Sequence, residues 1–140
     1  VVKDALAAIE AGGVTAMHDA TEGGVVGGLF EIANASRVGM DIDERLFIFP
    51  DEVKMVCEAF GIDAASAIAE GSLLITVRPT HSGKVVRRLK ALKISASVIG
   101  RVNKDSKKKI MRRLDGSTMK LSIPKQDPFW PEFFRGLETL

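Results

Sequence analysis

The sequence predicts an α+β domain, a mixed β-sheet with helices packed against it. Three observations predict it. Segments with apolar residues at helical spacing alternate with short β-type runs along the chain. Acids and prolines mark helix starts, and glycines mark the stops. The 140 residues, 46% apolar and 27% charged, amount to one soluble domain with enough apolar material for a core.

Taken in order, residues 1–12 read as an amphipathic helix with Val2, Leu6, Ala7, Ile9 and Ala11 available for burial. Gly12-Gly13 stop it. Val14-Thr15-Ala16-Met17 is a β-type run, and after a glycine-rich bend a helix follows to about Ser36 with Val25, Leu29, Ile32 and Ala33 on one face. Residues 38–43 alternate as a half-buried strand does, and Leu46-Phe47-Ile48-Phe49 is a short apolar run. Pro50-Asp51-Glu52 open a helix expected to bury Val53, Val56, Cys57 and Phe60. Gly61 ends it, and Asp63 caps a short helix over residues 64–69.

Residues 72–77 form a mostly apolar strand of the kind covered on both faces. The next helix has Val85, Val86, Leu89 and Leu92 inside and Lys84, Arg87, Arg88, Lys90 and Lys93 outside. Residues 94–102 are expected to be a strand, and 110–114 with 119–123 a hairpin turning at Asp115-Gly116. Asp127-Pro128 start the last helix, whose Phe129, Trp130, Phe133 and Phe134 are expected to dock the tail on the domain or on a neighbour.

The stretch with chemical content is Met17-His18-Asp19-Ala20-Thr21-Glu22-Gly23-Gly24. A strand that runs into glycines and then a helix leaves backbone N–H groups at the positive end of the helix dipole, where an anion binds well. Gly23 and Gly24 admit close approach to the backbone, and Asp19 and Thr21 offer short polar side chains that cap a helix or reach a ligand. Two readings stand side by side. The bend is either a structural join, with Gly24 and Gly28 spaced for close packing, or a ligand site. Neither G-x-G-x-x-G nor G-x-x-x-x-G-K-[ST] occurs.

Charge and cysteine content narrow the class. The net +2 is unevenly spread: residues 1–83 hold 5 Lys/Arg against 13 Asp/Glu, and residues 84–113 hold 12 against 1. Such a basic block suits nucleic acid or polyphosphate, but it lacks interleaved aromatics and reads as a solvated face. Cys57 is the one cysteine, so no internal disulfide forms, which fits a reducing cytoplasm. It is expected to be core packing. No apolar run reaches the roughly 20 residues of a membrane helix. The start at Val1 without a signal-peptide pattern is what a fragment would show.

The run His18-Asp19-Ala20-Thr21-Glu22-Gly23-Gly24, followed by Phe30-Glu31-Ile32-Ala33-x-Ala35-Ser36-x-Val38-Gly39, resembles the start of the C-terminal domain of the aminoimidazole ribonucleotide (AIR) synthase superfamily. Ala69-Glu70-Gly71-Ser72-Leu73-Leu74-Ile75 and Ala96-Ser97-Val98-Ile99-Gly100-Arg101-Val102 resemble its later motifs, in order. That superfamily includes AIR synthase, formylglycinamidine ribonucleotide synthetase, selenophosphate synthetase, thiamine-monophosphate kinase and the hydrogenase maturation protein HypE. The resemblance implies a mixed-sheet domain spanning residues 1–140 on the substrate side of an ATP-dependent enzyme that phosphorylates an acceptor atom of a small anionic substrate. It further implies ATP and Mg2+ held mostly by an N-terminal ATP-binding domain, a homodimer in the full-length parent, and no cofactor or activity in this domain alone. Asp19, Thr21, Gly23 and Gly24 match the Asp-x-Thr-x-Gly-Gly element and are expected to face the cleft. Thr21, Gly23 and Gly24 would cradle an anionic group, and Asp19 would orient the loop or a metal-bound water, with no direct metal ligand. His18 is either a general acid or base near neutral pH or a structural hydrogen-bonder.

Ala20 and Glu22 stand where HypE proteins usually carry proline and arginine, and the chain ends Glu138-Thr139-Leu140 where HypE relies on a cysteine. Those departures point to an AIR synthase-related group. A non-catalytic small-ligand or nucleotide-sensing module and a nucleic-acid-binding domain are the other two readings.

Overall fold

The structure, a computed structural model, describes residues 1–138. Thr139 and Leu140, the end of the Glu138-Thr139-Leu140 terminus, lie outside the described residues. In chain order the elements are α1 (Val2–Ala11), β1 (Val14–Ala20), α2 (Gly24–Ala35), β2 (Gly39–Asp43), a 3-10 turn (Glu44–Leu46), α3 (Asp51–Phe60), β3 (Ser72–Val77), α4 (Ser82–Ala91), β4 (Gly100–Asn103), β5 (Lys109–Arg112), β6 (Thr118–Lys120) and α5 (Phe129–Glu138).

The expected α+β class is what forms, with the strands divided between two sheets. β1 and β3 make an antiparallel ribbon in which His18 faces Leu74 and Asp19 faces Leu73. The second sheet has the order β4-β2-β5-β6; β2 and β5 run parallel, and the other pairs are antiparallel. α2 packs between the two sheets. Its Val26, Leu29, Ile32 and Ala33 meet Ala20 and Leu74 on the ribbon and Met40, Ile42 and Met111 on the larger sheet. The other face of the ribbon, with Met17, Ile75 and Val77, is covered by Ala7 and Ala8 of α1 and Val85 and Leu89 of α4. Burial of each large aliphatic side chain in such a layer stabilises by about 1.5–3 kcal/mol.

Glycine makes the central layer possible. A Cβ on Gly24 would stand 2.4 Å from the Ala67 carbonyl, and one on Gly28 would stand 2.8 Å from Leu74 Cδ1. The four-residue spacing is thus a packing device that lets the 65–67 backbone and β3 close on α2.

Several expectations are corrected. α1 buries Ala7 and Ala8, whereas Val2, Leu6 and Ile9 are exposed. α3 buries none of its residues: Val53, Val56 and Phe60 are exposed, and Cys57 is only half-buried. The short helix over residues 64–69 is a set of turns around Asp63, whose carbonyl accepts the Ser66 and Ala67 N–H groups. The strand of residues 94–102 shrinks to β4: residues 100–103 pair with β2, and before them the Ile99 carbonyl accepts the Asp43 N–H at 2.9 Å. β3 is covered on both faces as expected, Leu74 against α2 and Ile75 and Val77 against α1 and α4, although only Leu74 is fully buried. On α5, Phe129 and Trp130 are half-buried whereas Phe133 and Phe134 are exposed, and the rings contact one another, Trp130 lying 6.2 Å from Phe134 and 5.2 Å from Phe129.

Candidate functional site

β1 extends to Ala20, so His18 and Asp19 are strand residues and not part of the bend itself. His18 Nε2 lies 2.5 Å from Glu31 Oε2 on α2, and its Nδ1 lies 3.7 Å from Asp19 Oδ1. The imidazole is therefore bracketed by two carboxylates. With Met17, Asp19 and Leu73, His18 borders an open cleft of about 280 Å³ that Val1 and, on α1, Val2 and Ala5 complete; Thr21, Gly23 and Gly24, expected to face a cleft, do not line it. No Lys or Arg is among the residues lining that cleft.

Around the bend itself, side chains and amides have different fates. Thr21 and Glu22 are exposed, and Asp19 is exposed on the strand before them. Gly23 and Gly24 are buried. Gly23 is the N-cap of α2 with φ 76°, a left-handed conformation that glycine adopts without a Cβ penalty. No side chain caps the helix within its own segment, so Asp19 and Thr21 do not serve as caps. The Thr21 carbonyl accepts the Gly24 N–H at 3.0 Å and the Ala69 N–H at 3.2 Å. The Val26 N–H donates to the Ala65 carbonyl at 3.0 Å. The Gly23 N–H donates to Asp127 Oδ2 at 2.7 Å.

An ion network braces the bend from behind. Arg113 holds Asp63 with two nitrogens, at 2.9 and 3.1 Å, and holds the buried Glu44 through Nε at 3.0 Å. Glu44 also accepts the Leu114 N–H at 3.1 Å. Burial acts to raise the Asp63 carboxyl, but hydrogen bonds from Arg113 and Ser66 and the Arg113 charge outweigh it and hold its pKa below the ordinary value. Asp63 in turn organises the turn whose Ala65 carbonyl caps α2.

The basic block is divided by the fold. Its first part rides on α4, where Arg88 pairs with Glu10 of α1. In the second part Lys108 pairs with Asp41, Arg112 with Asp43, and Arg113 with Glu44 and Asp63. Four of its twelve cations thus meet carboxylates of the acidic first half. Sequence reasoning missed Glu31, Asp127 as a partner of the bend, and the Arg113 network. Glu31 lay in a matched motif and Asp127 read as a helix cap, but their partners are 13 and 104 residues away. Among the described residues, no His, Cys, Asp and Glu side chains group as a metal site, and no helix is long and apolar enough to cross a membrane.

Residues 1–113 match the family model described as "AIR synthase related protein, C-terminal domain". The chain belongs to this family. It is 38% identical over 101 residues to the carbamoyl dehydratase HypE of Rhizobium leguminosarum bv. viciae, covering 69% of this chain and 29% of that protein. It is 33% identical over 118 residues to the carbamoyl dehydratase HypE of Escherichia coli strain K12, covering 83% of this chain and 35% of that protein. The fold matches the crystal structure of E. coli HypE, a hydrogenase maturation protein, with a TM-score of 0.75 and 31% identity over 87% of this chain and 39% of that one. A HypE structure solved in complex with ATP shares the fold at 23% identity and a TM-score of 0.74, covering 86% of this chain and 38% of that one. The chain therefore spans about a third of the length of these curated relatives.

Proposed function

We propose that this chain is the substrate-side C-terminal domain of an ATP-dependent enzyme of the HypE kind, which phosphorylates an oxygen of a small carbamoyl-bearing substrate to activate it. The observation that carries this reading is the Asp19-x-Thr21-x-Gly23-Gly24 bend at the end of β1, with Asp19 on an open cleft that α1 completes. Family membership and relatives named carbamoyl dehydratase support the substrate class. Asp19 and His18 would handle protons on the substrate side, and the exposed Thr21 hydroxyl would bind its polar group, the Gly23 and Gly24 amides being bonded within the chain.

The triphosphate of ATP does not fit this chain's own bend. Asp19, Glu22 and Glu31 make the neighbourhood acidic, the cleft lacks Lys and Arg, and the Gly23 and Gly24 amides are already bonded within the chain. ATP and Mg2+ therefore belong to a preceding domain in this reading. The exposed Val2, Leu6 and Ile9 of α1 give that domain an apolar face to cover.

The test uses a full-length parent carrying Asp19→Ala or Thr21→Ala. Both variants are expected to keep the ATP-induced thermal shift; Asp19→Ala should lose at least about 100-fold in substrate-dependent ATP turnover, the scale of a positioned proton-transfer group, and Thr21→Ala about tenfold, the scale of one hydrogen bond. Unchanged turnover in both variants overturns the reading. The 140-residue chain alone is expected to show no ATP-induced shift.

A further inference from the structure

The larger sheet has an open edge at β4, which among the described residues pairs with β2 on one side only. Upstream of it, residues 94–97 keep a strand-like alternation. Ile94 and Ala96 are half-buried against the cluster of α1 and α4, whereas Ser95 and Ser97 are exposed. Two ties hold this run in place: the Ser97 hydroxyl donates to the Leu46 carbonyl, and the Ile99 carbonyl accepts the Asp43 N–H. Among the described residues, however, the backbone N–H and carbonyl groups of Ser95, Ala96, Ser97 and Val98 have no hydrogen-bond partner. A strand-like segment is thus fixed by its side chains and its end, with its ladder positions empty.

The surroundings of this edge are cationic. Lys90, Lys93 and Ser95 line an open cleft of about 320 Å³ together with Ile48, Ile94 and Ala96. Arg88, Lys108, Arg112 and Arg113 of the basic block meet carboxylates, but Lys90, Lys93, Arg101 and Lys104 have no carboxylate partner among the described residues. Val98 on the run and Val102 on β4 are exposed. Edge strands are commonly blunted by charge so that other strands do not add to them. Charge of one sign blunts an edge selectively: it repels a second copy of the same edge and draws an acidic chain. The main chain narrows the class further. A strand edge offers N–H and carbonyl groups in turn, and the carbonyls repel a nucleic-acid phosphate, whereas another peptide main chain satisfies both.

We infer that residues 94–98, continued by β4, receive an extended acidic segment of a partner protein as an added strand. Its main chain takes up the unpaired groups of residues 95–98, its carboxylates meet Lys90 and Lys93, and an apolar side chain enters the cleft beside Ile48, Ile94 and Ala96.

A peptide of alternating Glu and Val, titrated into the isotope-labelled 140-residue chain and followed by NMR, tests this. The amide resonances of Ser95, Ala96, Ser97 and Val98 are expected to shift, and their hydrogen exchange to slow at least about tenfold at saturation. Reversal of the two exposed cations, Lys90→Glu with Lys93→Glu, is expected to weaken binding at least about tenfold. The same peptide N-methylated at alternate residues keeps its charge but lacks the pairing N–H groups, so it should also bind at least about tenfold more weakly. Four amides unmoved at about 1 mM peptide overturn the proposal. Equal binding by the N-methylated peptide leaves only charge attraction and overturns strand addition, and equal binding by a Lys-Val peptide overturns the acidic partner. Movement of the four amides on raising the concentration of the chain alone would make a second copy the occupant, and movement with single-stranded nucleic acid but not with peptide would make it nucleic acid. Either result also overturns the proposal.

Discussion

α2 and α3 are helices of 12 and 10 residues, and they end in opposite circumstances. α2 is rich in glycine and apolar nearly all round, and both sheets close on it. α3 has a sharper division between apolar and charged faces, yet Val53, Met55, Val56 and Phe60 are all exposed. Amphipathicity states which face of a helix is apolar. Whether that face is covered depends on what lies opposite, and here the glycines of α2 let backbone approach while α3 has nothing comparable.

The largest test of this contrast is truncation on each helix. Leu29→Ala should cost about 2–5 kcal/mol in urea denaturation, as a core cavity does, whereas Val56→Ala should stay within about 0.5 kcal/mol. Equal losses would mean that α3 is covered in solution and would break the comparison. A second pair sets the start of α2 against the end of α3. Gly24→Ala combines a backbone clash with a φ of 60° and should cost about 3 kcal/mol. Gly61→Ala meets only the conformational penalty, because nothing lies within 4 Å of its added Cβ, and should cost about 1 kcal/mol.

Asp63 joins the two regions, since it follows α3 and braces the turn that caps α2. Its pKa is lowered in the folded state, so its contribution is complete above the unfolded carboxylate value and is lost as pH falls through the lower folded one. The stability difference between the parent chain and Asp63→Asn should be about 1 kcal/mol near neutral pH, given partial solvent screening, and should shrink as pH falls below the ordinary carboxylate value. A pH-independent difference would remove the ion pair from the account. The smallest effect concerns Cys57 on α3. Burial and the nearby Asp63 charge push its thiol up, so the folded chain should react with iodoacetamide several-fold more slowly than the urea-unfolded chain at about pH 7.5. Equal rates would show that the half-buried thiol senses neither.

Legibility followed the range of the interaction. The Asp115-Gly116 hairpin, the Asp127 cap of α5 and the stop at Gly61 are local backbone matters and were readable. His18, Asp19, Thr21, Gly23 and Gly24 were readable as one stretch, but not the division that leaves the side chains open and seals the amides. That division comes from Ala65, Ala69 and Asp127, which reach the bend from distant parts of the chain. The misplaced strand at residues 94–98 and the uncovered face of α3 have the same cause: local pattern without a strand or sheet opposite it.

By itself the sequence determined the class of fold, the apolar face of each helix and the family signature of the bend, because periodicity, caps and glycines act within a few residues. Tertiary structure decided which apolar faces are buried and which amides of the bend are taken. Those outcomes depend on hydrogen bonds and packing between segments up to 104 residues apart, which no local pattern encodes.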